Sequence, residues 1–255
     1  GFVAVASSIF DTLRASYVSA RGATVAVAQI GEVYTHAVKR DGEQILVNFE
    51  RVGGEVVLRT AMPDQPFIVD TIHLFLRRIG ARTVAGFNVV IDVLRDEAGL
   101  LAGVSTEQGK PESFVRMEVL GLRDEDLPSL QAALLDKLRC GQVMVTDFRE
   151  MAMSVERIAD QFARLAEQGG EHADDYLETS AFLRWLLWDN FVMLGMVSGD
   201  VRLGADRDGF THAAQIAESD WPAPGPLPVL VRKGPNESPV HRNGRVDEVF
   251  VNGPE

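Results

Sequence analysis

The stretch VVLRTAMPDQPFIVDTIHLFLRRIG, residues 56–80, decides how this chain is read. Val56, Val57 and Leu58 form a short apolar run of strand character, and Met62-Pro63-Asp64-Gln65 is a tight polar connection. From Pro66 onward the apolar positions Ile68, Ile72, Phe75, Leu76 and Ile79 recur at helical spacing and make one face of a helix. Proline suits the first helical turn because it has no N–H to lose there and its φ is already helical. Gly80 suits the end, since glycine takes the left-handed conformation without a Cβ clash. The segment therefore predicts strand, loop and helix. The loop meets a helix N-terminus, whose unpaired N–H groups can receive a carboxylate or a phosphate. Asp64, Gln65, Pro66 and Phe67 are the candidate ligand-binding residues. Asp64 has two readings: it receives a ligand's ammonium group, or it only caps the helix.

Working outward, residues 3–15 read as an amphipathic helix, and residues 24–30 and 44–49 as strands, with a turn at Asp41-Gly42. After the helix come strand-like runs at 83–95 and 113–120, the second alternating clearly through Phe114-Val115-Arg116-Met117-Glu118-Val119. The polar segment 96–111 between them reads as a long hairpin loop. Leu127, Leu130, Leu134 and Leu138 share one face of a helix over 124–139, and Val143-Met144-Val145 reads as a last short strand. Residues 55–146 thus spell βαββαβ, the order of an α+β ferredoxin-like module. Beyond it, Met151, Val155, Ile158, Phe162 and Leu165 stripe a long helix that Gly169-Gly170 ends. A second helix covers 174–189 and a strand 191–201. A proline-rich loop follows at 221–228, with short strands at 227–233 and 246–252. The expected division is 1–54 (helix and strands), 55–146 (the module), 147–189 (helical connector) and 190–255 (a second small α+β unit).

Composition narrows the function classes. A chain of 255 residues with 46% hydrophobic content has enough apolar side chains for a substantial core. The net charge of −12 argues against a nucleic-acid surface, which needs clustered Lys and Arg. The single cysteine, Cys140, rules out a disulfide within the chain and points to a reducing, cytoplasmic setting. No apolar run reaches the ~20 residues of a membrane helix.

Catalytic signatures are missing. There is no GxGxxG, P-loop, GxSxG elbow or HExxH in the sequence. The plainer reading is preferred at each isolated group. His73 sits on a solvated helix flank near Asp70 and Arg77, and His241 in a polar loop. Asp92, Asp96 and Glu97 read as a solvated loop rather than a metal site. Cys140 sits at a helix C-terminus, where the dipole disfavours a thiolate. Trp185 and Trp188 read as core packing beside Leu186 and Leu187. No catalytic and no metal-binding residue is expected.

Several phrases then combine: PDQPFIVDTI, RDEAG, ESFVRME, SAFLRWLLWDNFVMLG and SPVHR, in that order. They resemble the N-terminal region of the large bacterial NAD-specific glutamate dehydrogenases, over roughly residues 44–251. The motifs that carry it are Asp64-Gln65-Pro66-Phe67-Ile68-Val69-Asp70-Thr71 and Phe182-Leu183-Arg184-Trp185 through Asn190-Phe191 to Leu194-Gly195. Where that family continues with a Tyr-Arg-type strand, this chain has Met196-Val197-Ser198. The resemblance implies non-catalytic ACT-like modules, which often pair through their sheets and bind amino acids at the first strand–helix loop. It also implies that NAD and the oxidation of glutamate to 2-oxoglutarate belong to a separate catalytic domain in cis. The expected role is a regulatory or assembly module that forms a homo-oligomer. The alternative is a stand-alone amino-acid sensor using Asp64–Phe67.

Overall fold

Strands form here where β-branched and aliphatic residues alternate with residues that can face a second layer. The computed structural model describes residues 1–13, 15–198, 201–205, 228–241 and 243–252. His212 and the proline-rich stretch from Trp221 to Leu227 lie outside the described residues. The chain divides into two units, Gly1–Arg139 and Cys140–Glu255.

The first unit opens with three helices, α1 (Phe2–Thr12), α2 (Ala15–Arg21) and α3 (Ala23–Ala37). Then come β1 (Leu46–Val52), β2 (Glu55–Pro63), α4 (Ile68–Arg78), β3 (Arg82–Arg95), β4 (Leu101–Val104) and β5 (Lys110–Leu120). A 3-10 turn at Asp124–Asp126 leads into α5 (Leu127–Glu167), which runs on into the second unit. The five strands make one antiparallel sheet in the order β1-β2-β5-β3-β4.

Both faces of this sheet are covered. On one face Val56, Leu58, Met62, Val115, Met117 and Val119 pack with Ile68, Ile72 and Leu76 of α4 and with Leu134 and Leu138 of α5. On the other, Ala61, Phe87, Val89, Ile91 and Phe114 meet Val5 and Ile9 of α1 and Ile30 and Val33 of α3. Because side chains alternate along β5, the odd residues of FVRME serve the first face and the even ones the second.

Several expected elements change. Residues 24–30 are not a strand but the start of α3, whose buried positions Ala26, Gln29, Ile30, Val33 and Ala37 follow helical spacing. The 143–145 strand is helix too, because the apolar stripe of α5 continues through Met144 and Met151. The βαββαβ order is therefore not completed by a following strand. The flank of β2 is held instead by β1, which precedes it. The 96–111 loop contains β4.

In the second unit, Ala159, Phe162 and Leu183 form a core between α5 and α6 (Ala173–Trp185), which ends in a π-helical turn at Leu186–Asn190. The expected 191–201 strand is the shorter β6 (Gly195–Ser198), paired with β7 (Val201–Gly204). β8 (Val229–Glu237) pairs with β9 (Arg245–Val251), close to the strands expected there.

Candidate functional site

The 64–67 loop joins β2 to α4, but not as a capped helix start. Asp64 lies in an extended polar connection whose N–H donates to the Pro111 carbonyl at 2.9 Å. The helix begins at Ile68, so Pro66 stands in the turn before it rather than in its first turn. The N-cap is Phe67, in the left-handed conformation with φ of 71°, and no side chain caps the helix. Asp64 is thus not the cap. Asp64 and Pro66 are exposed, while Gln65 and Phe67 are half-buried. Neighbouring protein desolvates the Asp64 carboxyl and raises its pKa, with a hydrogen bond from the Gln65 backbone working the other way.

β5 is central, and Val115 and Val119 are fully buried core residues, so neither belongs to a pairing edge. β3 is the exposed edge over most of its length. It pairs with β5 from Arg82 to Val93, but with β4 only from Val93 to Arg95. The Asp92 carbonyl accepts the Ser105 N–H on the β4 side. Backbone groups alternate sides along a strand, so Gly86, Asn88 and Val90 also point theirs outward. These groups have no strand partner among the described residues. Val84 and Val90 are exposed apolar residues on this strand. At the opposite edge, the Phe49 N–H of β1 donates to the Gln131 Oε1 of α5 at 3.4 Å.

Beneath the N-terminal helices lies a layer of buried charge that pattern reading missed. Arg59 of β2 holds Glu32 of α3 at 2.8 Å and Glu50 of β1 at 2.7 Å. Arg116 of β5 holds Glu118 at 2.8 Å and Glu32 at 3.1 Å, and Glu118 also receives Arg21 of α2 and Gln29 of α3. A second cluster sets Arg40 at 2.6 Å and Arg95 at 2.7 Å on Glu112. Burial pushes Glu112 up, but its bonds to Arg95 and Arg40 outweigh that and hold it below the usual carboxylate range. Glu118 is held down in the same way by Arg116 and Arg21. His36 of α3 is pushed down by burial, against a backbone bond to Leu46, with the Arg59 charge adding to the drop. Its Nε2 and the Nε of Arg59 are buried without a hydrogen-bond partner. The signal for this layer was present in the sequence as Arg116 and Glu118, charges that alternate with the apolar Val115, Met117 and Val119 along β5.

The other residues singled out fall apart spatially. His73 is exposed on α4. His241 is an exposed loop residue with φ of 64°. Asp96 accepts the N–H groups of Ala98 and Leu100 and shapes its turn. Cys140 is buried with Met144, Ala205 and Val240. Trp185 and Trp188 are not core: they are 43% and 73% exposed. The buried positions of α6 are Thr179, Ser180 and Leu183, and Trp185 stacks on Phe182 and meets the edge of Phe191. No group of three or more His, Cys, Asp or Glu side chains suited to a metal occurs among the described residues, and no described helix is long and apolar enough to cross a membrane.

Comparison with known proteins agrees with the motifs. The chain is 32% identical to an NAD-specific glutamate dehydrogenase of Halomonas elongata over 145 residues, 54% of this chain and 9% of that protein. It is 28% identical to an NAD-specific glutamate dehydrogenase of Pseudomonas aeruginosa over 150 residues, 56% of this chain and again 9% of the relative. The chain therefore spans a small fraction of these curated relatives. A model of the glutamate dehydrogenase ACT1 domain matches residues 6–134, from the first helix through the whole five-stranded sheet to the start of α5. With half its length so matched, the chain belongs to the glutamate dehydrogenase ACT1 domain family.

Proposed function

We propose that this chain is a non-catalytic assembly module of a large NAD-specific glutamate dehydrogenase, joining copies of itself through the open edge of β3. The observation that carries the reading is the run Gly86, Asn88 and Val90, whose backbone groups face outward on an ACT1-family sheet. An unpaired strand edge is a template for a further strand, and two copies related by a two-fold axis can satisfy each other. In this reading the fold is a ferredoxin-like variant. Its β2-α4-β3-β5 frame keeps the strand order β2-β5-β3, and β1 takes the fourth place. NAD and glutamate would be handled by a catalytic domain in cis, in the cytoplasm.

The amino-acid-sensing role of Asp64, Gln65, Pro66 and Phe67 is the weaker reading. The Asp64 N–H already donates to the Pro111 carbonyl, and Asp64 does not cap the helix that follows. Two measurements test the proposal. The isolated chain should show no glutamate-dependent reduction of NAD. Light scattering should give a dimer that becomes a monomer in Val90→Pro, which removes an outward N–H at an edge where proline is tolerated. A wild-type monomer at high concentration would sink the proposal.

A further inference from the structure

At the end of α4 opposite the 64–67 loop lies a groove of about 420 Å³. It is lined by His73, Leu76 and Arg77 of α4 and by Gly80, Arg82 and Thr83 of the turn and strand that follow. The arginines of this groove differ from most other described arginines of the first unit. Buried Arg40, Arg59 and Arg116, half-buried Arg95, and surface Arg51 and Arg123 all hold carboxylates. The side chains of Arg77, Arg82 and His73 have no ion-pair or hydrogen-bond partner among the described residues. Two guanidinium groups with no carboxylate partner thus stand beside one concavity, in a chain of net charge −12.

The helix end does not cancel them. A C-terminus carries roughly half a negative charge on its unpaired carbonyls. Here the Gly80 N–H closes on the Arg77 carbonyl at 3.1 Å and the Ala81 N–H on the Leu76 carbonyl at 2.9 Å, so two of those carbonyls are already satisfied. Gly80 can do this because it sits at φ of 71°, in the left-handed region. What remains is two full positive charges against a partly quenched dipole. The groove is shallow and open to solvent, so a ligand there would be held by its charge rather than by enclosure.

We propose that this groove binds a small organic oxyanion, with Arg77 and Arg82 gripping a carboxylate or phosphate head and His73 as a third contact. Guanidinium is suited to both heads because its planar fork donates two parallel bonds to either. The site takes in the first residues of β3, ahead of the run Gly86, Asn88 and Val90 proposed for pairing.

The test is calorimetric titration of the full chain with inorganic phosphate and, separately, with succinate, at low ionic strength so that exposed charges are not screened. Wild type should bind at least one of the two, and which one it binds identifies the head group. The double variant Arg77→Gln/Arg82→Gln should bind it about tenfold more weakly or worse, since charge-assisted bonds are the strong ones. Its melting temperature should stay that of wild type, because both side chains are exposed. Absence of heat with both anions overturns the site, and so does a double variant that binds as tightly as wild type.

Discussion

The residues with the largest consequences are the buried charges between the sheet and the N-terminal helices. Glu112 is the shared partner of Arg40 and Arg95, and its side chain is 2% exposed. Glu112→Gln should destabilise the first unit by about 3 kcal/mol in urea unfolding, because two buried cations lose their counter-charge. Asp64→Asn should shift stability by less than about 0.5 kcal/mol, as expected of an exposed residue that caps no helix. The pH dependence follows from two directions of shift. His36 sits below its ordinary value of 6.5, so the unfolded chain binds its proton first and stability falls as pH drops through that region. Glu112 and Glu118 sit below 4.5, so their stabilisation is present above that value and is lost as pH falls through their folded values. Urea unfolding of His36→Gln should therefore lose much of the wild type's slope between about pH 7.5 and 5.5, leaving the acid limb intact. At this scale the sequence was half legible. The alternation of Arg116 and Glu118 with Val115 and Met117 reads as a two-faced strand. That both faces are buried depends on α1 and α3, whose packing no local pattern encodes.

Among elements, the strand–loop–helix of residues 56–80 and the long β3 and β5 were readable because each combines β-branched content or helical period with clear stops. The failures share one cause. Residues 24–30 and 143–145 carry valines that favour strands in isolation, yet both lie in helices, where tertiary packing outweighs propensity. The helix start at Ile68 was missed because the turn chemistry at Phe67 requires a left-handed residue that is not glycine. Element spacing also gives a prediction. Gly86 lies so close to β5 that a Cβ would clash with the Arg116 carbonyl and stand 2.9 Å from the Met117 Cα. Gly86→Ala should cost about 1–3 kcal/mol by forcing β3 from β5, measurable as a lower melting temperature.

For the whole molecule, the family was legible from two motifs, but the location of the pairing surface was not. The apolar content of residues 83–94 and 114–120 offered both strands for pairing; topology makes β5 central and turns β3 outward. Strand order is a long-range property, fixed here by β1 taking the place beside β2 that a following strand was expected to fill. Assembly through β3 is the central claim, and sedimentation of wild type beside Val90→Pro tests it most directly. The account predicts a wild-type dimer and a monomeric variant with an unchanged melting temperature. A wild-type chain that stays monomeric at high concentration, or a variant that remains a dimer, would contradict it.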